Sequence, residues 1–422
     1  MSSGKGATRG EHLAPSPGWW LSVIFQLPRH LGWRGPTAGL MAALLSGCFS
    51  PMTLDRAVLG YDEAFADILS KQLLLNIARA RHSRPVHFTG VSNIAATYNF
   101  QFTAGGTPAF TGNSGALIAP IFGGSVAENP TISVVPLQGE EFTKRLLTPF
   151  QQGKLLLFLQ RNCPVDLLFR LTAEEFRWVT DGKVLSHRNV PSDSVGYPTF
   201  RRIVTHLASI QDSSDLYMEP LMLRRSWILP ADTMTLEAMR SLAKDDVYIQ
   251  FDGRERLYRL STRVPGAVVI TNYDPEQLSD DEKLALHTKA QEGQANDIMV
   301  DVREGFPGGE YPISGHFRLR SFIAIVDFLG RSIGEDPEYF VEKDPRTPEV
   351  SENPNLTLEL LSSEDSPDDD ELAVEYDGFY YSLGPNHGYP WNREVFRLLH
   401  QLFQMSVSEV PHVGVPSITI AK

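Results

Sequence analysis

Three Asp-Gly pairs, at 181–182, 252–253 and 377–378, each lie between runs rich in β-forming residues. Asp-Gly tolerates the positive φ that a two-residue hairpin turn demands, so each pair predicts an antiparallel hairpin. Val247-Tyr248-Ile249-Gln250-Phe251 is expected to pair with Arg256-Leu257-Tyr258-Arg259-Leu260, and Ala373-Val374-Glu375-Tyr376 with Phe379-Tyr380-Tyr381-Ser382. Helical patterns fall between the hairpins. The strongest begins near Tyr61, where Phe65, Ile68, Leu69, Leu73, Ile77 and Ala80 recur at spacings of three and four. Arg79, Arg81 and Arg84 suit the negative end of its dipole, and Pro85 stops it. Further helices are expected over 139–148, 153–161, 199–211, 280–292, 317–333 and 391–405. The fourth of these opens on a capping box, Ser279-Asp280-Asp281-Glu282. Antiparallel hairpins with interspersed helices specify an α+β class, with helices packed on the sheet in two or three small domains.

Residues 94–104 form the most regular alternation in the chain. Ile94, Ala96, Tyr98, Phe100, Phe102 and Ala104 take one parity; Ala95, Thr97, Asn99, Gln101 and Thr103 take the other. Eleven residues match the roughly 9–11 that a tilted β-strand needs to cross a bilayer. Ala116-Leu117-Ile118-Ala119-Pro120-Ile121-Phe122 is a candidate return strand, weakened by Pro120, which lacks a ladder donor. One hairpin cannot close a barrel; several identical subunits contributing one each would. The other reading of Ile94, Tyr98, Phe100 and Phe102 is the buried side of a strand in a water-soluble sheet. Thr131-Ile132-Ser133-Val134-Val135 is a further strand candidate.

The first 47 residues read as something other than fold. Lys5, Arg9, Arg29 and Arg34 stand against the single acid Glu11, and a short apolar run follows over 37–45. That is the layout of an export signal, and the run is shorter than the roughly 20 residues of a spanning helix. Leu45-Ser46-Gly47-Cys48 then resembles the lipobox of bacterial lipoproteins. The resemblance implies cleavage before Cys48, attachment of diacylglycerol and palmitate-type chains there, and a lipid-anchored chain in the cell envelope. Phe49 and Ser50 follow, neither being the Asp associated with inner-membrane retention, so the outer membrane, on its periplasm-facing side, is the expected address. Gln72-Leu73-Leu74-Leu75-Asn76-Ile77-Ala78-Arg79-Ala80-Arg81 and Pro85-Val86-His87-Phe88-Thr89 resemble the opening of a family of uncharacterised bacterial lipoproteins, which brings no activity with it.

Loss of residues 1–47 leaves 34 basic and 50 acidic residues, a formal charge of −16. Such a surface repels phosphate backbones and argues against nucleic acid as a partner. Cys163 is the only cysteine besides Cys48, so no internal disulfide forms; before an apolar run, it reads as a small hydrophobe. The expected organisation is a signal peptide over 1–47, a tether over 48–60, an N-terminal α+β region over 61–165 and a central domain over 166–303. A C-terminal domain over 316–422 follows the Gly/Pro-rich stretch 304–315. The acidic run 364–371 lacks the spaced ligands and turn glycine of an EF-hand and reads as a solvated loop.

Motifs for catalysis are missing: no G-x-S-x-G, no H-E-x-x-H, no Walker loop, no dinucleotide fingerprint and no CxxC. His82 and His87 flank a helix end and read as caps or core groups. The aromatics Tyr376, Phe379, Tyr380, Tyr381, Tyr389 and Trp391 would either stack on sugars or pack against the helix at Trp391. The favoured function is a non-catalytic, lipid-anchored scaffold or assembly component acting through contacts with envelope proteins or with itself, with no cofactor and no metal. An oligomeric outer-membrane channel inserting residues near 94–126 is the alternative, and an envelope glycan or peptide hydrolase the second alternative.

Overall fold

A computed structural model describes residues 49–109, 117–161, 163–180, 183–367, 372–385 and 390–407. It is an α+β protein. The first helix, α1, runs Phe49–Arg81, so the stretch expected as a tether over 48–60 is helical from Phe49. The chain divides into two units at Ala64/Phe65, within this helix. Strands β1 (Phe88–Ala109) and β2 (Leu117–Leu137) follow. Three eight-residue helices come next: α2 (Glu140–Leu147), α3 (Gln152–Leu159) and α4 (Val165–Thr172).

The main sheet is assembled from β3 (Ala173–Thr180), β4 (Lys183–Arg188), β5 (Tyr217–Pro230), β6 (Tyr248–Asp252), β7 (Leu257–Thr271), β8 (Asp297–Val302) and β9 (Ile313–Leu319). Its order is β4-β3-β9-β8-β7-β5, with β6 on the free half of β7. Every pair is antiparallel except β7–β8, where Val269, Ile270 and Thr271 run parallel to Met299, Val300 and Asp301. A parallel pair needs a crossover. Here it is α7, and the helices around it are α5 (Gly196–Asp212), α6 (Leu236–Lys244), α7 (Asp280–Gln291), α8 (Phe322–Ser332) and α9 (Trp391–Ser406). A small second sheet, β10 (Leu360–Ser363), β11 (Ala373–Tyr376) and β12 (Phe379–Leu383), has the order β10-β12-β11.

One apolar core joins distant segments. Phe317 on β9 stacks on Phe169 of α4 (4.2 Å between ring centroids) and meets Phe176 of β3 edge-on at 4.9 Å. Leu73 and Ile77 of α1, Phe200 of α5, Phe322 of α8 and Leu399 of α9 belong to the same cluster. Strand β9 lies past the Gly/Pro-rich stretch 304–315 yet sits between β3 and β8, so that stretch is a connection inside one sheet. All eight residues of α4 are buried, because helices and sheet close around it.

Two local expectations differ from the structure. The pattern over 317–333 divides: Phe317 and Leu319 complete β9, and α8 starts at Phe322, capped by Ser321, whose Oγ accepts from the Ala324 N–H at 3.3 Å. Asp252-Gly253 opens a longer loop, with Asp252 paired to Leu257, because Asp252 Oδ1 accepts from the N–H groups of Arg254 and Glu255. At 377–378 the two-residue turn forms as read, Tyr376 pairing with Phe379 and Asp377 and Gly378 at φ of 53° and 81°. The capping box at Ser279 has both of its reciprocal bonds.

Candidate functional site

The feature that stands apart is the β1–β2 ribbon. Its strands, of 22 and 21 residues, pair with each other over almost their whole length and form a sheet of two. At about 3.4 Å per residue such a ribbon reaches roughly 70 Å. Among the described residues neither strand pairs with a third, and natural sheets normally blunt or cover such edges.

Its base is firmly held. Phe88 is buried against Phe142, Phe322 and Phe403, the last at 4.4 Å between centroids, and Leu137 lies opposite it in the same core. The open edge of β1 is satisfied at this end by two amides one turn apart on α1. The His87 N–H donates to Asn76 Oδ1 (2.8 Å), Asn76 Nδ2 donates to the His87 carbonyl (2.9 Å), and the Thr89 N–H donates to Gln72 Oε1 (2.9 Å). Asn76 is fully buried. The two side chains stand in for a neighbouring strand, a role that helical periodicity does not reveal. Beyond a register shift at Val91/Asn93 the strands continue in unbroken register.

The expected membrane-strand residues all fall on β1: Ile94 pairs with Ile132, Tyr98 with Glu128, Phe100 with Val126 and Phe102 with Gly124. Composition marks the same segment. Between Arg84 and Glu140 the only formally charged residue is Glu128, in a chain that is 21% charged, and this depletion is a signal that alternation alone understates. Cys48 and residues 1–47 lie outside the described residues. Among those described, no helix is long and apolar enough to cross a membrane.

The charged clusters elsewhere have structural partners. Asp297, on β8, accepts from Arg177 and Arg318, and its Oδ2 also accepts from the Gln294 N–H at 2.7 Å. Glu175 is bound by Arg177 at 2.8 Å and by the Ser186 hydroxyl, which together hold its carboxyl below the usual range against the cost of burial. A carboxylate committed in this way is a poor general base. In the interior, Glu338 accepts from Tyr197 Oη (2.9 Å) and from the N–H and hydroxyl of Thr357, with Arg201 at 3.7 Å, tying the 335–357 connection to α5. Arg170 lies beneath the Trp391 ring at 5.2 Å, its guanidinium without a hydrogen-bond partner among the described residues, and burial lowers its pKa to about 10 against the pull of Glu338 and Asp166.

The remaining candidates resolve into packing. Tyr381 is fully buried and Trp391 nearly so, its Nε1 donating to the Thr357 carbonyl; Tyr376, Phe379 and Tyr380 are half-buried. Tyr389 lies outside the described residues. His82 pairs with Tyr381 Oη (2.8 Å) and lies 3.4 Å from Asp377, pinning the end of α1 to the small sheet. The Cys163 thiol, half-buried against the core, is pushed up to about 12, chiefly by burial, which suppresses the reactive thiolate. Among the described residues no group of three or more His, Cys, Asp or Glu is placed to hold a metal ion. No protein-family model, curated protein or solved structure matches the chain.

Proposed function

We propose that this chain is a lipid-anchored, non-catalytic component of the bacterial cell envelope that acts by assembling with copies of itself, using the β1–β2 ribbon as its joining element. The observation that carries the reading is the ribbon: some twenty register pairs in a sheet of two strands, rooted in the core by Phe88 and Leu137 among the described side chains. An isolated two-stranded ribbon is marginal in water, so a long one calls for a partner along its edges. Identical ribbons supply matching lengths and registers, and most assemblies of identical subunits close on themselves by symmetry, heterologous contacts closing into rings. The lipid at Cys48 supplies location. One acyl chain holds a protein only marginally, and two or three hold it durably.

Expression in a diderm host with labelled palmitate, followed by native mass spectrometry of the detergent-solubilised protein, tests both parts. Label is expected on the wild type and lost in Cys48→Ala. A defined oligomer is expected for the wild type, and a monomer when residues 92–133 are replaced by Asn-Gly. A monomeric wild type, or label that persists in Cys48→Ala, defeats the corresponding half.

A further inference from the structure

We infer that the outer half of the ribbon, from the Asn99/Ala127 pair to the Ala109/Leu117 pair, is the membrane-crossing wall of a β-barrel to which each copy of the chain contributes one hairpin. The inference rests on the self-assembly reading and adds what the assembled ribbons do. Three independent features of register and sequence converge on this segment.

The first is length. Outward of the pair Tyr98/Glu128, each strand carries eleven consecutive residues with no charge, 99–109 and 117–127. A β-strand tilted in a bilayer needs about 9–11 residues to cross the hydrocarbon. The second is position of the charge. Glu128, the sole formal charge in the ribbon, stands in register with Tyr98 at the inner limit of that segment. A tyrosine and a glutamate at one register position suit the headgroup level, where aromatic girdles of membrane barrels lie. From Phe88 to Tyr98 the inner half spans ten residue steps, about 34 Å at strand spacing, which separates the folded body from the bilayer.

The third is the pairing of parities, which the register decides. Even positions of β1 meet even positions of β2, so the register set Phe100/Val126, Phe102/Gly124, Ala104/Phe122 is apolar throughout, and Gly106/Pro120 and Pro108/Ile118 continue it. The odd set is polar through β1, with Asn99, Gln101, Thr103 and Thr107; on β2 it holds Ser125 beside Leu117, Ala119, Ile121, Gly123 and Ala127, so its polar character comes from one strand of each hairpin. A register one residue different would mix the two sets. Membrane barrels demand this dyad, apolar toward lipid and polar toward the lumen. Two strands cannot satisfy their outer backbone groups in hydrocarbon, whereas a closed ring of ribbons does. Pro108 and Pro120 fall in the apolar set and each removes one ladder donor, so two levels of the wall hold one bond fewer.

The test compares two substitutions of equal charge one level apart, near the middle of the segment: Phe122→Arg in the apolar set and Thr103→Arg in the polar set. Each acylated full chain is reconstituted into phosphatidylethanolamine/phosphatidylglycerol vesicles loaded with a self-quenched dye and exposed to external protease. The wild type is expected to release dye and to protect a fragment containing 99–127. Thr103→Arg is expected to keep the protection, and Phe122→Arg to reduce it about tenfold or more. Thermal unfolding of both variants checks that the body is intact. Oligomeric wild type that neither releases dye nor protects the fragment overturns the inference while leaving self-assembly standing. Equal protection in the two variants overturns it as well, and a monomeric wild type removes both readings.

Discussion

His206 shows how burial sets the behaviour of a single residue. Its Nε2 donates to the Gly308 carbonyl at 2.8 Å and Nδ1 lies 3.1 Å from the Thr347 hydroxyl, so one neutral tautomer is satisfied. Burial depresses its pKa, outweighing the Gly308 carbonyl and the carboxylates Asp344 and Glu310, which act the other way; Arg346 adds to the depression. The unfolded chain therefore takes up the proton first as the pH falls through about 6.5. The contribution of His206 is fully present above that value and is lost as the pH drops toward the depressed folded value. His206→Gln is expected to flatten the fall in thermal midpoint between pH 7.5 and 5.5 relative to wild type. Identical slopes would show that another group carries it. His187, His316 and His400 are depressed by burial too, so the slope should shrink and not vanish.

At the scale of elements, the junction of α1 with β1 decides where the ribbon starts. Asn76 closes two bonds to the backbone of His87, and Gln72 one to Thr89. Asn76→Leu leaves the His87 N–H without a partner and its carbonyl with only the longer bond from Arg79 Nη1 (3.4 Å), and is expected to cost about 1–3 kcal/mol in urea unfolding. Amide exchange at His87 and Thr89 should quicken; unchanged exchange there would mean the amides do not hold the edge. The companion feature, His82 between Tyr381 and Asp377, fastens the same helix end to the small sheet, so α1 serves as a strut between two sheets and the ribbon.

For the whole molecule, the ribbon and the body are expected to be energetically separable. The body is expected to keep its main sheet, its small sheet and its core when residues 92–133 give way to an Asn-Gly turn, since among the described side chains the ribbon lends the core Phe88 and Leu137, which that replacement retains. The truncated chain should melt at the wild-type midpoint, measured on monomer of both. A large drop would place hidden stabilising contacts in the ribbon and undercut the view of it as an appended device.

Local chemistry made much of this legible in advance. The Asp377-Gly378 turn, the Ser279 capping box and the helices at 140–147, 196–212 and 391–406 follow from φ preference, capping and a 3.6-residue period, all of which act within a few residues. The alternation at 94–104 was equally plain. Only long-range pairing settled the rest. Phe317 and Leu319 could continue a helix or fill a strand, and β3 and β8 on either side chose the strand. Strand β5 carries a weak local pattern because much of its surface stays exposed. The length of the ribbon, the match of its two parities and the amides that seal its root belong to tertiary structure. Each depends on a partner residue eight or more positions away, which no local period encodes.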